Sequence, residues 1–199
     1  GHHIRRQLLP QGFGRAQTAE AASVKSIRSA AALRSALTSS ESGAYRLSAD
    51  ISGVTKAIVV RSKTKSLDLN GYSVKGKDRT TGLITVKGGK LTISDSKGGG
   101  QIRNTDNQDA VGCESGTLII NGGSFRGAKC GVKQMKGKLK INGGSLKGED
   151  GLTLAGNTKT SVRIAGGSLQ GTHNGCTASG GKLTISGGSF AGEKSCGGA

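Results

Sequence analysis

Asp106, Asp109 and Glu114, followed by Glu149 and Asp150, are the acidic residues whose grouping could do chemistry. The segments "DAV", "CGV", "DGL" and "NGC" align, which sets Asp109, Cys130, Asp150 and Asn174 in one row. Carboxylates that converge hold calcium, and carboxylates held further apart act as acid and base across a glycosidic bond. If each step of the row is a strand spacing, Asp109 and Asp150 stand roughly 10 Å apart. That is too far to share a metal and near the upper end of an inverting pair. Arg126, Lys129, Lys133 and Lys147 lie nearby and supply cations for an acidic substrate. Against this, Asp and Asn at turns ordinarily bond the backbone.

The other reactive side chains are less suited to catalysis. None of the repeated "GGS" serines, Ser124, Ser145, Ser168 and Ser189, sits in a G-x-S-x-G elbow, and the histidines are only His2, His3 and His173. The four cysteines, Cys113, Cys130, Cys176 and Cys196, form no C-x-x-C pair, so the sequence predicts no zinc site. Cys176 and Cys196 fall at comparable points after Gly171 and Gly192, which suits a disulfide between consecutive turns of a repeat. Buried free thiols are the alternative.

The elements that must position these residues repeat. Leu91/Ile93, Leu118/Ile120, Leu139/Ile141, Val162/Ile164 and Leu183/Ile185 recur at spacings of 27, 21, 23 and 21 residues, with Leu67/Leu69 24 residues before Leu91. Each pair alternates apolar with polar, as a strand with one buried face does. Then come, in the later copies, Gly-Gly, Ser and one apolar residue, and a third short element at Ala110-Val111, Gly131-Val132, Gly151-Leu152 and Gly175-Cys176. Three short strands per repeat predict a parallel β-helix, in which like residues stack from coil to coil. Asn70, Asn121 and Asn142 read as a structural amide ladder after the first strand.

At 199 residues, with 36 glycines and one proline, the chain suits a single domain with many tight turns and excludes collagen. No apolar run approaches the roughly 20 residues of a membrane span. The formal charge is +17, and after Gly43 there are still 23 basic residues against 10 acidic ones. Such a balance favours an anionic partner, although lysines on outward strand positions also keep a repetitive sheet soluble. With no Trp, two Tyr and three Phe, of which Phe125 and Phe190 occupy inward slots, neither a stacking platform for neutral sugar nor a specific nucleic-acid reader is expected.

Residues 1–22 read as a tag remnant, linker or disordered leader, 23–42 as a capping helix and 43–199 as the β-helix repeats. In the cap, Ile27, Ala31, Leu33, Ala36 and Leu37 share a face, with Arg28 and Arg34 elsewhere. Tyr45, Leu47 and Ile51 are inward candidates of the first coil. "AGEKSCGGA" carries no cap, so the C-terminal coil is expected to be open to end-to-end self-association.

The segments "LRSALTSSESGAYRLSADISG", "LDLNGYSVKG", "LTISDSKGGGQI" and the four "I-x-G-G-S" turns resemble the pectate-lyase-like right-handed β-helix superfamily, and within it bacterial cell-surface proteins. The resemblance covers roughly residues 23–196. It implies an all-β, right-handed single-stranded parallel β-helix, secreted or displayed at the cell surface, that acts as an adhesin-like module on acidic polysaccharide or extracellular matrix without a cofactor. The cationic face expected is Lys138, Lys140, Arg163 and Lys182 on one sheet with Arg126 and Lys147 on the next. The second implied reading is a lyase or hydrolase on acidic polysaccharide, using calcium if a lyase, with Asp106, Asp109, Glu114 and Asp150 crowding an outward groove. A third is a structural spacer without ligand.

Overall fold

The computed structural model describes residues 23–156 and 160–192. They form a parallel β-solenoid of about seven turns with one short helix near the N-terminal end. Successive coils pair in parallel, and each contributes a strand to as many as three faces.

Face A holds the first strand of each coil, from Gly43–Leu47 to Lys182–Ile185. Its register runs Leu91, Leu118, Leu139, Val162, Leu183 in one column and Ile93, Ile120, Ile141, Ile164, Ile185 in the next. Face B stacks Val74, Ile102, Phe125, Leu146, Leu169 and Phe190. Face C stacks Ile58, Ile84, Val111, Val132, Leu152 and Cys176. These columns meet along the axis as one continuous apolar core, because a coil can bury its inner face only on its own side chains and its neighbours'.

Two glycine columns explain why the corners are so sharp. A Cβ on Gly127, Gly148 or Gly171, where face B turns into face C, would stand 2.3, 2.7 or 1.8 Å from a carbonyl oxygen of its own or a neighbouring coil. In the "GGS" turns, Gly123, Gly144, Gly167 and Gly188 all have φ between 89° and 99°, the left-handed region that glycine enters without a Cβ penalty. The serines that follow form the expected column, Ser124, Ser145, Ser168 and Ser189.

The cap is shorter than 23–42. Val24–Ile27 is a strand paired with Gly43–Leu47, and the helix spans Ala30–Thr38. Ser29 is its N-cap, its Oγ accepting from the Ala32 amide at 3.1 Å. Leu33, Ala36 and Leu37 are buried, whereas Ala31 is exposed. Arg34 fastens the helix to the first coil, donating to Lys56 O at 2.6 Å and Ala57 O at 2.9 Å.

Leu67/Leu69 does not stack on Leu91/Ile93 as the repeat predicts. Leu67 pairs with Ile93, and Lys65 takes the inward slot beneath Leu91. The slot admits lysine because it lies under the helix end. Fully buried, Lys65 Nζ donates to Ala36 O at 3.0 Å, Ser39 O at 2.6 Å and Ser39 Oγ at 2.8 Å. Three ammonium hydrogens meet three acceptors, two of them C-terminal carbonyls that the helix itself leaves unpaired. The same offset removes Asn70 from the amide ladder. Asn142 Nδ2 donates to Asn121 Oδ1 at 2.8 Å, but Asn70 bonds Leu47 O at 3.2 Å.

In the coil of Lys182–Ile185 and Ser189–Ala191, Leu183 and Phe190 are only partly buried and Ile185 is 45% exposed, because no further described strand pairs beyond them. Cys196 lies outside the described residues.

Candidate functional site

The outward positions of face B are cationic coil after coil. Lys75, Arg103, Arg126 and Lys147 are in register, and beyond Lys147 the column turns neutral at Gln170 and then Ala191. Arg126 and Lys147 are the two members expected from sequence. Arg103 and Lys75 extend them, and their signal was the single apolar residue before each, Ile102 and Val74, without the Gly-Gly-Ser turn of the later coils.

Beside this ladder, at the corner between faces B and C, lies a groove of about 590 Å³ across coils three to six. Arg103, Arg126, Lys147 and Gln170 line one side, with Asp106 and Glu149 among the corner residues. Among the described residues, none of the three groove cations makes an ion pair. Like charges repeated at about 4.8 Å repel one another and attract a counter-charge of similar spacing.

The corners that flank the groove change in length along the solenoid. Residues 77–83 and 105–110 separate the strands in coils two and three, but only 127–129 do so in coil four. Ser145–Leu154 and Ser168–Ala178 then pass the corner as single strands. The two long turns are joined by Asn104, which is buried. Its Oδ1 accepts from Asp78 N and Asp106 N, both at 3.1 Å, and its Nδ2 donates to Asp78 O and Asp109 O, both at 2.9 Å. Asp78 also accepts from Ala57 N at 2.8 Å, Thr80 N at 2.9 Å and Thr81 N at 3.0 Å. Burial pushes its carboxyl pKa up, but these donors outweigh that and hold it below the ordinary value. Arg79 reaches Asp106 across the two turns at 3.6 Å.

Asn104→Ala removes both sides of this junction and leaves several buried groups unpaired. It is expected to lower stability by about 2–4 kcal/mol and to raise amide exchange in 77–81 and 105–109 first. Unchanged exchange there would mean that the turns hold themselves.

The acids of the catalytic reading are dispersed. Asp109, Cys130, Asp150 and Asn174 do form the expected row. However, Asp109 is 3% exposed and outside the groove, and Asp150 accepts from Asn174 Nδ2 at 3.0 Å and Thr153 Oγ1 at 3.3 Å. Glu114 pairs with Lys87 at 3.7 Å, so only Asp106 of the four catalytic candidates lines the groove. Burial raises the Asp109 pKa and pushes the Cys130 thiol up to about 12, helped by Asp109 beside it. With its Sγ 2.9 Å from Thr153 Oγ1, Cys130 is a buried thiol and not a nucleophile near neutral pH. Cys113 is also free and buried, with its thiol pushed up to about 11 by burial, whereas Cys176 is disulfide-bonded. Among the described residues no three His, Cys, Asp or Glu side chains are grouped to hold a metal ion.

The remaining cations of the expected face are on face A. Lys140 stacks on Arg163, but Ser161 separates Lys138 from Lys182, and both rows are outward. No described helix is long and apolar enough to cross a membrane. No family model matches the sequence, and comparison with curated proteins and with solved structures gave no match. The fold itself therefore defines the class, a parallel β-solenoid, and the chemistry must be argued from its surface.

Proposed function

We propose that this solenoid is a binding module for a linear acidic glycan, held by the face B cations that line the groove, Arg103, Arg126 and Lys147. The observation that carries the reading is the unbroken register of Arg103, Arg126 and Lys147 along the groove, none of them with an ion-pair partner among the described residues. Charge placed only for solubility would favour the alternation of one outward column of face A, Lys138, Ser161 and Lys182, and the neighbouring column there stacks only two cations, Lys140 and Arg163. A polymer with regularly repeated carboxylates offers the periodic counter-charge that the ladder lacks.

A glycan fits better than single-stranded nucleic acid, which gains much of its affinity from stacked bases. Of the described aromatic residues, Tyr45 and Phe125 are buried, while Tyr72 and Phe190 pack against the core. The disulfide at Cys176 supports a secreted or surface-displayed setting, where such polymers occur.

Retention on immobilised polygalacturonate, alginate and neutral dextran, across a salt gradient, tests this reading. Retention on both acidic polymers that is lost with rising salt, with none on dextran, is the expected result. Equal elution from all three would overturn it. New chain ends in the eluted polymer would move the assignment to catalysis.

A further inference from the structure

Resting on that reading and narrowing it, we infer that the groove receives one end of the acidic glycan, with three consecutive charged units on Arg103, Arg126 and Lys147. The ladder and the groove do not have the same length. The ladder continues to Lys75, whereas the groove begins at Arg103 and the turn at Thr105. What ends it is the change in corner length, since the long turns 77–83 and 105–110 stand where the later coils have a short turn or none.

This wall is built before any ligand arrives. The hydrogen bonds of buried Asn104 to Asp78 and Thr81 on one turn and to Asp106 and Asp109 on the other tie the two together, and Arg79 with Asp106 bridges them at the surface. A chain lying on Lys147 and Arg126 and running toward the wall must displace that hydrogen-bonded backbone or stop. Stopping is the cheaper course, because buried groups stripped of partners cost more than a chain end left in water.

The wall also offers what a chain end needs. Asp106 and Asn107, on the turn that follows Arg103, line the groove, and their oxygens accept hydrogen bonds. A terminal sugar carries free hydroxyl donors that an internal unit has lost to its glycosidic bond. At the opposite end the column turns neutral at Gln170, so further units gain no cation.

The test uses the intact chain and an oligogalacturonate series from dimer to octamer, titrated at low salt. Affinity is expected to climb to the trimer or tetramer and then stay level. An octamer blocked by a bulky group at one end is expected to bind like the free octamer, and one blocked at the other end about tenfold more weakly or worse. Lys75→Gln is expected to change affinity less than about twofold and Arg126→Gln about tenfold, neither with a lowered melting temperature. Affinity that keeps climbing to the octamer, equal binding of both blocked forms, or a Lys75→Gln loss equal to that of Arg126→Gln would overturn end-on binding. Those results leave the acidic-glycan reading standing, whereas no salt-sensitive binding of any oligomer would remove both.

Discussion

Replacing Arg103, Arg126 and Lys147 together by glutamine is expected to abolish salt-sensitive retention on acidic polymer while raising the melting temperature at low ionic strength. The two effects have one cause. In the free protein three cations stand in register without ion-pair partners among the described residues, and each like-charge step works against the coil-to-coil contact it sits on. Screened by solvent, the repulsion amounts to about 0.5–1 kcal/mol in all. Its removal should be visible at low salt and absent in molar salt.

For binding the sign reverses. Three charge-assisted contacts are lost, and affinity falls by about a hundredfold or more. Paired melting and retention measurements on the triple variant check both signs. Lys138→Gln, Lys140→Gln and Arg163→Gln combined remove as much charge from face A and should leave most retention intact. If the face A variant loses retention and the face B variant keeps it, the site has been placed on the wrong sheet.

Lys65→Ala is expected to be among the most destabilising single substitutions, at about 2–5 kcal/mol. It leaves Ser39 O without the ammonium donor and Ala36 O with only the Ser39 hydroxyl, and it opens space beneath the helix. Lys65→Met should cost less, since it fills the space and removes the penalty of a buried charge. The pH dependence separates these contributions. Burial lowers the Lys65 pKa from its ordinary 10.5, with Glu41 opposing. Between the two values the unfolded chain binds more protons than the folded one, so this group makes stability rise with pH across that window and leaves it flat below.

Urea unfolding of wild type and Lys65→Met, from neutral pH to above 10.5, reads the difference directly. The stability of wild type relative to the methionine variant should increase through the alkaline range. A constant difference would mean that the ammonium is solvated through an opening of the helix end.

Much of the architecture was legible because stacking forces the same apolar pair to return in every coil. The columns through Leu91 and Ile93, and the single inward residues Phe125, Leu146 and Leu169, were readable from that rule alone. It failed at the N-terminal coils, where the end of a solenoid has different neighbours. There Leu67/Leu69 imitated the repeat, while Lys65 held the inward slot because a helix end supplied acceptors. Val24–Ile27 was absorbed into the expected helix because a short exposed strand has almost no pattern of its own.

The site was half legible. Arg126 and Lys147 follow the repeated turn and could be placed, whereas Arg103 and Lys75 follow irregular ones. Asn104 was invisible, since one asparagine after a strand looks like any other until two turns converge on it.

The shortening of the corner from coil to coil has an evolutionary side. Because each coil touches little beyond the coils before and after it, whole repeats can be gained or lost without redesigning the rest. The two pinned turns fix where the groove begins, and the number of short-cornered coils that follow fixes how far it extends. Duplicating a segment such as 116–136, which supplies one rung through Arg126, would insert one more position between Arg126 and Lys147 and lengthen the groove by one coil. Preference for longer or shorter acidic chains would then be inherited as a copy number, set by repeat slippage in the coding sequence, and not assembled one substitution at a time.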